Sequence, residues 1–105
     1  MKYNISIMLG DFCWPEQVTG KAAFTIFGER FAAHKNDENL YIVTHISSGA
    51  CVTPFGDSRC STAIAKAKKI VMLQYKNADA IWAFVEKARE GKTILMNPPR
   101  KEMLK

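Results

Sequence analysis

An α+β fold is what this sequence predicts: a four- to five-stranded, mostly antiparallel sheet with two C-terminal helices packed on one face. Three observations predict it. Short β-rich runs fill the first half of the chain, the first of them with a loose two-residue alternation. Clusters of turn-forming residues separate these runs. After Gly56 the apolar spacing changes to that of amphipathic helices. One domain is expected at 105 residues, β-rich over 1–56, helical over 57–91, and closing with a short strand and a basic tail over 92–105. With 48% of its residues apolar, such a chain can bury a core without disulfides or metal.

The elements follow in order. Tyr3, Ile5, Ile7 and Leu9 fall on one side of a strand over 2–9, with Asn4 and Ser6 on the other. Residues 10–20 contain Pro15 and show no period, so they read as a loop. Residues 22–27 form a second strand, Gly28-Glu29 a turn, and 30–35 a third strand. Residues 36–39, Asn-Asp-Glu-Asn, are turn chemistry. A hairpin joins 40–46 to 50–55 through Ser47-Ser48-Gly49, where Gly49 suits a positive-φ bulge. Pairing Ile46 with Ala50 places His45 opposite Cys51 and Tyr41 opposite Phe55. Pro54 removes a ladder donor, so this strand ends there or lies at an edge.

Asp57 and Ser58 are candidate caps for the first helix. Its apolar face comprises Cys60, Ala63, Ile64, Ala67, Ile70, Val71 and Gln74, with Tyr75 at the margin. Asn77 can cap a second helix, with Asp79 in its first turn. The buried face of that helix is Ala78, Ile81, Trp82, Val85 and Ala88, and Gly91 ends it. The two stripes are nearly in phase, so one continuous helix over 59–90 competes with two. Its length in so small a domain favours a break near Lys76-Asn77. Residues 92–96 form a short closing strand, stopped by Pro98-Pro99.

Cysteine usage points to a reduced, cytoplasmic setting: Cys13, Cys51 and Cys60 are odd in number and fit no zinc or redox spacing. The apolar N-terminus lacks a signal-peptide pattern, and no apolar run approaches the ~18 residues of a membrane span. The net charge of +5 is uneven. Residues 1–52 carry four Lys/Arg against five Asp/Glu, whereas 53–105 carry eleven against five. That asymmetry favours a polyanionic partner, nucleic acid or the acidic surface of a nucleoprotein complex.

Four constellations could carry function. Lys66, Lys69 and Lys76 share a helical face with Lys68 beside it, preceded by Arg59 and joined by Arg100 and Lys101 of the tail. Such a stripe can neutralise several phosphates, though a solvated face is the commoner use of lysine. A His45–Cys51 pair could make a thiolate nucleophile or half a metal site. With no third member in view, a cross-strand structural pair is the plainer reading, and a zinc site built with His34 lacks converging spacing. Gly56-Asp57-Ser58-Arg59 could hold a phosphate at a helix start, but Asp57 opposes an anion and an ordinary capping turn explains it. Phe12 and Trp14, if exposed on the 10–20 loop, are protein-contact candidates, and if buried they cap the core.

No catalytic signature or cofactor motif emerges. The expectation is a small non-enzymatic binding or regulatory protein on a polyanionic partner. The alternatives are a protein-interaction module or homo-oligomer using the aromatic loop or a sheet edge, and a small Cys/His enzyme. In size and in lacking a catalytic signature, the chain is similar in type to phage and mobile-element accessory proteins. Some of those inhibit host nucleic-acid or defence machinery. No residue match underlies that likeness.

Overall fold

The computed structural model describes residues 1–9, 12–53 and 56–89. Among them six strands precede two helices: β1 (Lys2–Leu9), β2 (Phe12–Thr19), β3 (Lys21–Ile26), β4 (Glu29–Lys35), β5 (Tyr41–His45), β6 (Ala50–Cys51), α1 (Cys60–Gln74) and α2 (Ala78–Arg89). The architecture is α+β, with the strands in two antiparallel sheets. One is the β1-β2 hairpin and the other has the order β3-β4-β5-β6. The expected closing strand over 92–96 and the tail lie outside the described residues.

The four-stranded sheet is the middle layer. Side chains alternate across a strand, so β4 serves two cores at once. Phe31 and Ala33 face α1, which lies across β3, β4 and β5, and join Val43, Ala63, Ala67, Val71 and Ile81. Ala32 faces the opposite way and packs with Ile46 against Tyr3 and Ile5 of β1. This explains why 31–34 reads as continuously buried rather than alternating.

The segment read from sequence as a loop is the strand β2, and its placement shows how Pro15 is accommodated. Pro15 pairs with Ser6, whose own N–H points to the Gly49 carbonyl at 2.9 Å, away from β2. In an antiparallel ladder such a pair exchanges no hydrogen bonds, so the missing proline donor faces outward and the strand loses nothing. The lack of alternation hid this strand.

β3 and β4 close through a two-residue loop, Phe27-Gly28, with φ of 55° and 77°. Glu29, expected in the turn, is the first residue of β4 and pairs with Ile26. A one-residue bulge at Ala23, between the Ala22 and Phe24 pairings, returns Phe24 to the helix side. There it stacks on Phe31 with ring centroids 4.7 Å apart. The 36–39 turn forms as expected: Asn36 Oδ1 accepts the N–H groups of Glu38 and Leu40 at 2.9 and 3.0 Å.

The β5-β6 hairpin forms in a register one residue different from the expected one. His45 pairs with Ala50 and Thr44 with Cys51, leaving a four-residue loop, 46–49. Two backbone commitments set this. Ile46 donates its N–H to Arg30 of β4, and Gly49 donates to His45 O at 2.8 Å. Gly49 does have the expected positive φ, 75°, and a Cβ there would stand 2.8 Å from Ser6 Oγ. A single-residue slip exchanges every cross-strand partner, so His45 does not oppose Cys51. The proposed partner of Tyr41, Phe55, lies outside the described residues.

The helical half follows the pattern closely. Ala63, Ala67 and Val71 are buried, with Cys60, Ile64 and Ile70 half-buried at the edges, while Gln74 is exposed. The chain breaks after Gln74, and Asn77 caps α2 by accepting the Ala80 N–H at 2.9 Å. Ile81, Trp82 and Val85 of α2 are buried and Ala78 is half-buried, while the side chain of Ala88 lies outside what is described. Asp57 and Ser58 do not cap α1. Asp57 is held in an extended bridge with Tyr41, so the helix starts later, with Arg59 at the cap position and no side-chain cap.

Candidate functional site

α1 contains no carboxylate along its length, while Lys66, Lys68 and Lys69 rise from it into solvent. Lys76, just past its end, is also exposed. Small residues at 63 and 67 let the opposite face approach the sheet closely, which fixes the lysines outward. Over 57–89 there are seven Lys/Arg and three Asp/Glu. One of the three, Asp57, pairs with Lys66 at 2.8 Å. That bond, with the Arg59 amide on Oδ1, holds the Asp57 carboxyl below the usual carboxylate range. Lys68, Lys69 and Lys76 have no ion-pair partner among the described residues.

Two large apolar side chains, absent from the sequence reading, stand on this face: Met72 is 61% exposed and Leu73 75%. Their signal was present, because both fall off the buried i, i+3, i+4 stripe. At the base of the face, Lys66 and Lys69 border a recess of about 230 Å³ floored by Thr53, Ala63 and Ile70. The outer surface of α1 is therefore basic and partly apolar.

Arg59 is exposed at the start of the helix, beside the stripe. Arg100 and Lys101 lie outside the described residues. Phe12 and Trp14 belong to β2, paired with Leu9 and Ile7, and not to a loop; their side chains are outside what is described.

His45 is fully buried and both its ring nitrogens are engaged. Nδ1 meets Ser48 Oγ at 2.7 Å and Nε2 meets Glu29 Oε1 at 2.9 Å. A carboxylate only accepts, so Nε2 carries a proton. Trp82 Nε1 donates to the same oxygen, and the Ala50 N–H donates to Ser48 Oγ at 3.1 Å. Serine, histidine and carboxylate thus form a chain, but all three are buried. A hydroxyl that no substrate can reach is no nucleophile, so the arrangement is a polar brace between sheet and helix. Cys51 is exposed, and its thiol turns to the Thr53 carbonyl at 3.1 Å. The sequence could not place Trp82 beside Glu29, 53 positions away.

The other histidine, His34, is buried on the hairpin side of the sheet, with Nδ1 3.3 Å from the Tyr3 hydroxyl. Burial pushes its pKa below the ordinary histidine value, opposed by the Glu16 carboxylate. Burial likewise raises the Tyr3 phenol to about 12, with a smaller contribution from Cys60. His34 and Cys60 line one recess together. Among the described residues no three His, Cys, Asp or Glu side chains converge to hold a metal ion. No helix among them is long and apolar enough to cross a membrane.

No family model matches the chain, and neither a curated protein nor a solved structure does.

Proposed function

We propose that this chain is a non-enzymatic binding protein whose α1 face engages a polyanionic partner, nucleic acid or the acidic surface of a nucleoprotein complex. The observation that supports this reading is a helix without a carboxylate whose lysines all point to solvent, only one of them neutralised. Two free ammonium groups on α1 and a third just past its end suit successive phosphates or a row of carboxylates. Met72 and Leu73 tilt the reading toward the nucleoprotein surface, because exposed apolar side chains gain more against protein than against a solvated phosphate backbone. A mobile-element accessory protein acting on host nucleic-acid machinery is one setting for such a face.

The test is fluorescence anisotropy with labelled single- and double-stranded DNA and RNA at two salt concentrations, on the wild type and a Lys68→Glu/Lys69→Glu/Lys76→Glu variant. Lys66 is left intact because Asp57 already holds it. Binding should weaken at least tenfold in the variant. The slope of log affinity against log salt should fall by about 3, near one counterion per lysine. Where no oligonucleotide binds, affinity capture of a nucleoprotein complex from nuclease-treated and untreated lysate takes its place. Binding unchanged by the triple reversal in both formats would sink the proposal.

A further inference from the structure

We propose a second, separate site: the recess where β3 begins beside β4, bordered by the first residue of α1, binds the phosphoryl group of a small ligand, or free phosphate, through Lys21, Lys35 and His34. β3 begins opposite Ala33, so β4 runs on past it to Lys35. Beside that step lies a recess of about 320 Å³, within the usual size range of small-molecule sites. Thr19, Lys21, His34, Lys35, Tyr41 and Cys60 line it. Among the described residues, that lining holds two ammonium groups and no carboxylate.

His34 gives the recess its direction. The residue is 4% exposed, so its ring is withdrawn from bulk water, yet it forms part of the wall. The Tyr3 hydroxyl meets His34 Nδ1 and no other partner among the described residues. The phenol keeps its proton throughout the neutral range. A phenol hydroxyl both donates and accepts, and where it donates to Nδ1 the ring proton lies on Nε2. Nε2 has no hydrogen-bond partner among the described residues. Nε2 is not among the sealed, unpartnered side-chain atoms of the described residues, so it opens on the recess, where an oxyanion can accept from it.

The neighbouring groups agree in sign. α1 is 15 residues long, its cap makes no side-chain hydrogen bond, and its first turn holds no acidic residue. The positive end of its dipole begins at Cys60 on the recess wall, and the nearby Asp57 carboxylate, held by the Arg59 amide and Lys66, does not line the recess. Lys35 Nζ rests 5.4 Å from the centre of the Tyr41 ring, which keeps it at the wall. Glu16, on β2, is the carboxylate that acts on His34, and its effect is second to burial. None of Lys66, Lys68, Lys69 or Lys76 lines this recess, so the proposal stands or falls apart from the α1 face.

The experiment titrates the full ¹⁵N-labelled chain at constant ionic strength with inorganic phosphate, ribose 5-phosphate and ribose. The expected result is saturable shifts at Lys21, His34, Lys35 and residues 60–62. Tighter binding of ribose 5-phosphate than phosphate assigns a phosphorylated ligand, and equal binding assigns free phosphate. A Lys21→Gln/Lys35→Gln variant, altering two exposed side chains, should bind at least tenfold more weakly while its remaining spectrum stays unchanged. The Lys68→Glu/Lys69→Glu/Lys76→Glu variant should bind as the wild type does. Shifts that never saturate, shifts centred on residues 66–76, binding of ribose alone, or full affinity in the Gln variant would each overturn the proposal.

Discussion

Removing the Glu29 carboxylate is the most direct test of how the helices are fastened to the sheet. Its Oε1 accepts from His45 Nε2 and from Trp82 Nε1, and all three side chains are buried. Glu29→Ala leaves two buried donors without that acceptor. Each orphaned buried donor costs roughly 1–3 kcal/mol, so a loss of about 4 kcal/mol is expected for the two. Glu29→Gln keeps a carbonyl oxygen in place and loses only the charge assistance, so about 1–2 kcal/mol is expected. A domain of this length is stable by roughly 5–15 kcal/mol, so the Ala variant retains a folded population but melts far earlier. Urea unfolding followed by tryptophan fluorescence gives the numbers, since the Trp82 indole sits at the altered bond. A loss below about 1 kcal/mol for Glu29→Ala, or equal losses for Ala and Gln, would refute the brace.

The remaining predictions use the same assay. Thr44 Oγ1 is buried with no hydrogen-bond partner among the described residues, so Thr44→Val should raise stability by about 1 kcal/mol. Phe27 is 46% exposed with φ of 55°, so Phe27→Asn, which makes the loop Asn-Gly, should stabilise by about 1 kcal/mol. His34 has a lowered folded pKa, so the unfolded chain takes up the proton first and stability falls as pH drops below about 6.5. Urea midpoints at neutral and mildly acidic pH show this, and a His34 ring resonance titrating above the ordinary value contradicts it. On the alkaline side the Tyr3 phenol is held to about 12, so its contribution is lost as pH rises past its ordinary value of 10.0.

What the sequence revealed and what it hid divide along the range of the interactions. The break at Asn77 was legible because the cap and the helix it starts lie within four residues. The buried stripe of α1 was legible because its period is local. β2 was not, because Pro15 argues against a central strand and only the direction of the Ser6 N–H shows that its missing donor faces out. The hairpin loop was located correctly, but its register turned on Ile46, whose N–H is claimed by Arg30, 16 positions earlier. That single residue decided that His45 meets Glu29 and not Cys51. The lysine stripe was legible as a pattern, whereas the pairing of Lys66 with Asp57 depended on the Tyr41 bridge that delays the helix.

The brace and the basic face are linked through the helical layer. α1 rests on the sheet by Ala63, Ala67 and Val71, a flat and directionless contact that small side chains alone do not lock in place. α2 contributes Ile81 to the same core, and its Phe84 ring lies 5.9 Å from that of Tyr75 at the end of α1. A directional bond in this assembly is Trp82 to Glu29, since a hydrogen bond has a required geometry and an apolar contact does not. Its position near the sheet's β3-β4 turn pins α2, and α2 in turn limits how far α1 can roll. A rolled α1 would carry Lys69 and Lys76 away from a common line. The brace therefore acts on binding only through the orientation of that line. Glu29→Gln, still folded, should leave the affinity for a flexible single strand nearly unchanged while weakening capture of a rigid acidic surface.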